Sequence, residues 1–242
     1  MSQPRAILQA TDLHLELGGR GIFQVEELTI HKGEVLALVG PNGAGKSSLL
    51  LTLALLQAPT SGSIRIDGEA AHNGNTLRLR RRMAVVFQEP LLLDLTVRQN
   101  ILTALHIRGV SRQESAERIN RWLDRFGIAH LAHRPARALS GGEAQRTSLA
   151  RAFALEPEVL LLDEPFAALD YPTRKSLLND LGQLLADMSM TTLFVTHDFS
   201  EIPYLAQRVA VLHEGRILQD GSLEEVFGAD ILKQRLWAPW ET

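Results

Sequence analysis

The chain has 242 residues, 45% apolar and 22% charged, enough for one large domain with a well-filled core. Twenty-five Lys and Arg against 28 Asp and Glu give a formal net charge of −3, which argues against an indiscriminate nucleic-acid binder. The absence of cysteine excludes a disulfide scaffold, a thiolate metal site and cysteine catalysis. Residues 1–5 carry no apolar leader. No apolar run approaches the roughly 18 residues of a membrane span, 49–56 being the longest candidate. The expectation is a soluble, cytoplasmic chain.

In chain order, residues 7–10 and 13–17 predict short strands leading into Gly18-Gly19, and 25–30 a strand leading into Lys32-Gly33. Residues 34–39 are mostly apolar and stop at a glycine, as for a strand buried on both faces. A helix is predicted over 47–56. Ser63-Ile64-Arg65-Ile66 alternates and ends at the turn pair Asp67-Gly68. Arg78, Arg80, Arg81 and Arg82 read as a solvated edge before a strand at 83–87. From about 96 to 155 the pattern is helical. Ser111 and Glu114 form a predicted capping box, Ala116, Ile119, Leu123 and Phe126 share one face, and Gly127 is placed to end the helix. Strands return at 159–162, 192–195 and 209–212, the last paired with 216–219 across Glu214-Gly215. Pro203 falls in the helix expected after His197 and is tolerable if that helix starts near Ser200. This alternation predicts one α/β domain, with a core over 1–88 and 158–242 and a helical insert over 89–157.

Gly40-Pro41-Asn42-Gly43-Ala44-Gly45-Lys46-Ser47 fits the pattern G-x4-G-K-[ST] without departure. The glycines let successive N–H groups curl around phosphate oxygens, and the following helix adds its positive end. Lys46 is assigned to the β and γ phosphates, Ser47 to Mg²⁺, and Ser48 offers a further hydroxyl. A Gly-rich turn can spell this pattern by chance, but here a strand precedes it and a helix follows. The strand 159–162 runs into Asp163 and Glu164, acids at the edge where open α/β sheets bind ligands. Asp163 is assigned to Mg²⁺ and Glu164 to polarising the attacking water. The plainer alternative is a solvated capping pair before Pro165. His197 follows a buried strand at the same edge, where a neutral imidazole can bond the γ-phosphate and hold the carboxylate. Gln88 closes its own strand, suited to orienting water and touching Mg²⁺.

Leu139-Ser140-Gly141-Gly142-Glu143-Ala144-Gln145-Arg146 resembles the signature motif of the ATP-binding-cassette superfamily. Ser140 and Glu143 read as a capping box; an ordinary capped helix leaves Gly141 and Gly142 unexplained, since Ala would stabilise each position by up to about 1 kcal/mol. The resemblance covers about 7–227. It implies a P-loop NTPase (RecA-like) core with an N-terminal antiparallel β subdomain and an inserted α-helical subdomain. It also implies ATP and Mg²⁺, and a second copy whose Ser140, Gly141 and Gly142 cover the γ-phosphate. Gln88 corresponds to the Q-loop, Ala168-Leu169-Asp170 to the D-loop and His197 to the switch histidine. One departure is visible: Leu17 stands where the family stacks adenine on an aromatic residue, and Phe23 is the candidate substitute.

The resemblance implies a peripheral ATPase on the cytoplasmic face of the membrane, serving transmembrane permease subunits and, indirectly, a substrate-binding protein, with no nucleic-acid partner. Glu89-Pro90-Leu91-Leu92-Leu93 falls where such proteins receive a permease coupling helix, although at least two of these leucines are expected in the core. The sequence is most similar to tungstate-type oxyanion importers, with molybdate, phosphate, sulfate and polar-amino-acid importers as competitors. A soluble cassette acting in translation, repair or cluster assembly is the alternative class.

Overall fold

The computed structural model describes residues 5–228. Residues 1–4 and the last part of the expected core, 229–242, lie outside the described residues. Strands β1 (Ala6–Leu17) and β2 (Arg20–His31) form a hairpin that joins β4 (Ser61–Ile66) and β5 (Glu69–Ala70) in an antiparallel sheet of order β2-β1-β4-β5. The two short strands expected at 7–10 and 13–17 are one. Asp12 takes a φ of 49° and shifts the β1–β4 register between Thr11 and His14 without ending the strand.

The second sheet has the order β10-β9-β3-β8-β7-β6. It comprises β3 (Val35–Val39), β6 (Met83–Val86), β7 (Val159–Asp163), β8 (Thr191–Thr196), β9 (Arg208–His213) and β10 (Arg216–Ser222). All neighbours are parallel except the β9–β10 hairpin, which turns at Glu214 and Gly215, both with positive φ. Alternate residues of its central strands feed two cores. Val35, Ala37 and Val39 pack with the helices, while Leu36 and Leu38 pack with the antiparallel sheet and α1 (Lys46–Leu53). Burial on both faces explains the near-continuous apolar runs.

Helix α1 is shorter than its apolar pattern. Leu55 is left-handed at φ 58°, and the N–H groups of Leu56 and Gln57 bond back to the Leu51 carbonyl. After α2 (Thr76–Arg80), the insert carries α3 (Val97–Ile107), α4 (Arg112–Arg125) and α5 (Gly141–Ala154). Only half of the capping box predicted for α4 forms. Ser111 accepts from the Glu114 N–H at 3.3 Å, but the Glu114 carboxylate turns to the Arg118 guanidinium at 2.6 Å, a stronger charge-assisted bond. Of the predicted face, Ile119, Leu123 and Phe126 are buried and Ala116 is half-buried; it extends to Trp122, whose ring meets those of Phe126 and Phe153.

The arginine run is not simply a solvated edge. Arg82 is half-buried and bonds Glu158 at 2.6 and 2.5 Å, and the half-buried Arg80 donates to the Leu55 carbonyl at 2.7 Å. Only Arg78 and Arg81 are exposed. Beyond α6 (Tyr171–Met188), a 3₁₀ turn over Phe199–Glu201 leads into α7 (Ile202–Leu205). Pro203 lies in the first turn of α7, where a missing N–H costs nothing. Helix α8 (Leu223–Phe227) follows β10.

Candidate nucleotide site

The parallel strands deliver the motif residues to one edge of the sheet. Val39 is in register with Thr196, and Asp163 with Val195, so the ends of β3, β7 and β8 meet. Gly40 passes so close to β9 that a Cβ there would lie 2.0 Å from the Leu212 carbonyl oxygen, and only glycine fits. Gly45 then starts α1 with a φ of 99°. Lys46 is 5% exposed, and its Nζ donates to the carbonyls of Gly40 at 2.9 Å and Pro41 at 3.1 Å. Burial pulls its pKa down, against the opposing pull of Glu164 and Asp163.

The Ser47 hydroxyl donates to Asp163 Oδ1 at 3.0 Å. Burial pushes the Asp163 carboxyl above its usual range, Glu164 adds to this, and Ser47 and Lys46 oppose it. A hydroxyl and a carboxylate are hard oxygen donors, the set Mg²⁺ takes when phosphates complete its shell. Among the described residues, no group of three or more His, Asp or Glu could hold a metal alone. Glu164 is left-handed at φ 46°; its N–H bonds the Val195 carbonyl at 2.9 Å and its Oε2 lies 3.0 Å from His197 Nδ1. The expected pairing of this carboxylate with the histidine is therefore present.

A cleft of about 370 Å³ runs along the loop, lined by Asn42, Gly43, residues 45–48, Glu164 and, from β2, residues 20–22. Several expected site residues do not line it. Ala44 is buried, and its N–H bonds the Pro41 carbonyl at 3.2 Å. Gln88 is exposed just past β6. Ser140 is exposed at the start of α5, where its N–H bonds Glu143 Oε2 at 2.7 Å and its Oγ accepts from Glu143 N at 3.4 Å, the complete capping box. Gly142 has an internal reason: a Cβ there would meet Thr173 Cγ2 at 2.6 Å, which narrows the unexplained glycines to Gly141. Asp170 caps α6, accepting from Thr173 N at 3.1 Å and Oγ1 at 2.9 Å, bonds that hold its carboxyl below the usual range.

Two expectations are overturned. Phe23 is 2% exposed, locked in the core between the sheets, and cannot stack on a base, while Leu17 stands 46% exposed. The three leucines are not mainly core: Leu91 and Leu93 are exposed, and Leu92 is half-buried. They line a groove of about 530 Å³ with Glu89, Pro90, Asp94, Ala136, Arg137 and Ala144. The turn leaves them outside because Leu91 is left-handed at φ 44° and Arg151 of α5 holds the carbonyls of Pro90 and Leu91, each at 3.0 Å.

Sequence reasoning missed a buried network behind His197. Glu201 is 3% exposed and accepts from Thr196 Oγ1 at 2.6 Å, while Arg174 lies 2.7 Å from Asp198 and 3.7 Å from Glu201. Burial is the main reason the Glu201 carboxyl rises to about 7. The available signal was an acid four residues past the histidine on a short helix.

The profile of the family described as ABC transporter matches residues 23–167. The chain is 43% identical over 211 residues to the probable sulfate/thiosulfate import ATP-binding protein CysA of Chlorella vulgaris, covering 85% of this chain and 88% of that protein. It is 39% identical to the molybdate/tungstate import ATP-binding protein WtpC of Thermococcus kodakarensis, covering 85% of this chain but only 62% of that protein. Among solved structures, the ATP-binding cassette MJ0796, dimeric and bound to ADP and Pi, matches with a TM-score of 0.80 at 27% identity, covering 90% of this chain and 99% of that one. The phosphate loop, the acids that face it and the capped Ser140 helix thus carry a shared descent: the chain belongs to the ABC transporter family and is an ATPase domain of it.

Proposed function

We propose that this chain is the ATP-hydrolysing subunit of a membrane importer, with two copies closing on two ATP molecules and reopening after hydrolysis. The carrying observation is the meeting at one sheet edge of the Lys46 loop, the Ser47–Asp163 pair and the Glu164–His197 pair. The loop N–H groups of residues 42, 43 and 45–48 and the Lys46 ammonium bind the phosphates. Ser47 and Asp163, with Gln88, are fitted to hold Mg²⁺, which when bound neutralises charge on the phosphate oxygens. Glu164 takes a proton from the attacking water, and His197 holds that carboxylate and reaches the γ-phosphate.

Ser140, Gly141 and Gly142 line no part of the chain's own cleft, yet they form a helix start, an anion-binding end, at which Ser140 and Gly141 are exposed. A second copy brings this end over the γ-phosphate, with Asp170 at the seam. The dimeric relative supports that arrangement. The exposed Leu91 and Leu93 groove suits a permease segment, and the import names of the relatives support the direction of transport. A substrate-binding protein then acts through the permease, and the chain works peripherally at the cytoplasmic face; among the described residues no helix is long and apolar enough to cross a membrane. For the cargo we take a tetrahedral oxyanion. Tungstate is the narrower reading, supported by one relative's name and rivalled by the sulfate/thiosulfate relative.

Glu164→Gln tests the core of the proposal. With MgATP the variant elutes as a stable dimer in size-exclusion chromatography and hydrolyses ATP at least about a hundredfold more slowly. A variant that stays monomeric, or turns over like the unmodified protein, refutes it. Cargo is read from which oxyanion stimulates ATP hydrolysis once the chain is reconstituted with its co-purified membrane subunits.

A further inference from the structure

We propose that Glu201 and Thr196 are positioning residues for ATP hydrolysis, setting the His197 ring against Glu164 through hydrogen bonds to the turn that carries it. The inference rests on the roles given above to Glu164 and His197 and deepens them. His197 is exposed, and the Glu164 carboxylate, 3.0 Å from Nδ1, is the one hydrogen-bond partner of its ring among the described residues. A ring so little enclosed is aimed by the backbone that bears it. His197 leaves β8 between two anchored neighbours. Buried Thr196 donates from Oγ1 to Glu201 Oε2 at 2.6 Å, and the same oxygen accepts from the Asp198 N–H at 3.0 Å. One hydroxyl thus ties the residues before and after the histidine to each other and to a buried acid.

The Asp198 carboxylate is held in turn. Its Oδ1 accepts from Ser200 N at 2.9 Å and Oγ at 2.6 Å, and its Oδ2 from Arg174 Nη1 at 2.7 Å. The same Arg174 nitrogen lies 3.7 Å from Glu201 Oε1, so α6 braces both acids. Burying the Glu201 carboxyl costs free energy that an apolar side chain in the same place would not. Arg174 adds to that cost, its Nε being buried with no hydrogen-bond partner among the described residues. Stability gives no reason for such groups, whereas a fixed His197 does. A carboxylate only accepts, so contact with Glu164 requires a proton on His197 Nδ1, and that contact reports whether the ring is in place.

MgATP turnover and the ring-nitrogen NMR resonances are measured on the histidine-labelled full chain and on Thr196→Val, Thr196→Ser, Glu201→Met and His197→Ala, the last assigning the His197 signals. Thr196→Val and Glu201→Met are each expected to lower kcat roughly tenfold, with KM for MgATP within about twofold. In both, the His197 resonances move to those of a free, tautomer-averaged imidazole. Thr196→Ser, which keeps the hydroxyl, recovers most of the rate. Met nearly conserves the volume of Glu, so Glu201→Met breaks the same bond should Thr196→Val fold poorly. A fall in kcat with the His197 resonances unmoved marks a merely structural role and overturns the proposal. So does a Thr196→Ser no faster than Thr196→Val, or full turnover in both bond-breaking variants. Full turnover by His197→Ala would instead overturn the role given to His197 itself, so the two failures are distinguishable.

Discussion

Glu164 is held in a left-handed conformation that costs a non-glycine residue about 1–3 kcal/mol, and its N–H bond to Val195 and side-chain contact with His197 keep it there. In the proposed mechanism this conformation aims the carboxylate at the attacking water. Glu201, one layer deeper, is set by its surroundings in another way. Burial and the nearby Asp198 and Glu164 carboxylates raise its pKa to about 7, while the Thr196 hydroxyl and Arg174 pull the other way. A carboxyl raised from 4.5 to about 7 by folding binds more protons in the native state than in the unfolded chain across that window. Its contribution to stability is therefore full below pH 4.5 and declines as pH rises towards 7. Glu201→Gln removes the decline, so the melting temperature of the variant relative to the unmodified protein is expected to climb between about pH 5 and pH 8. A difference that stays flat across this range would rule the buried acid out as its source. Lys46, Ser47, Asp163 and Glu164 were legible in the sequence because motif spacing fixes them at strand ends. Glu201 was not, because it acquires its place from burial beneath a later turn.

At the element scale, α5 and α6 explain why two adjacent glycines differ. A Cβ on Gly142 would lie 2.6 Å from Thr173 Cγ2, and Thr173 is tied by its N–H and hydroxyl to the Asp170 cap, so it cannot give way. Crowding of about 1–3 kcal/mol then exceeds the gain of up to about 1 kcal/mol from replacing a helical glycine, and Gly142→Ala destabilises the fold. A Cβ on Gly141 finds nothing nearer than the Ala168 carbonyl oxygen at 4.0 Å, so Gly141→Ala stabilises it. Urea midpoints moving in opposite directions would bear this out, and two shifts of the same sign would contradict it. The central strands and α5 announced themselves through apolar runs and a capping box. The end of α1 and the half-formed box of α4 did not, because left-handed Leu55 and the Glu114–Arg118 pair prevail over local propensity.

Across the whole molecule, the two cores enclose one sheet while the Leu91 and Leu93 groove stays open on the helical insert. Three leucines in a row read as core from hydrophobicity alone; only the backbone reversal at Leu91 puts two of them outside. Replacing Leu91 and Leu93 together by Ser is expected to leave folding stability within about 0.5 kcal/mol, since exposed side chains add little to it. The same variant should lose its membrane subunits on affinity purification, and undiminished recovery of those subunits would exclude the groove as their seat.

Arg151 grips the backbone at Pro90 and Leu91 from the same helix that begins at Ser140. These two points lie on one continuous rod, separated along its axis by about 16 Å at the α-helical rise. A displacement of the rim where Leu91 emerges thus carries to the far tip as rigid motion, and in the proposed two-copy arrangement that tip moves against the neighbouring triphosphate.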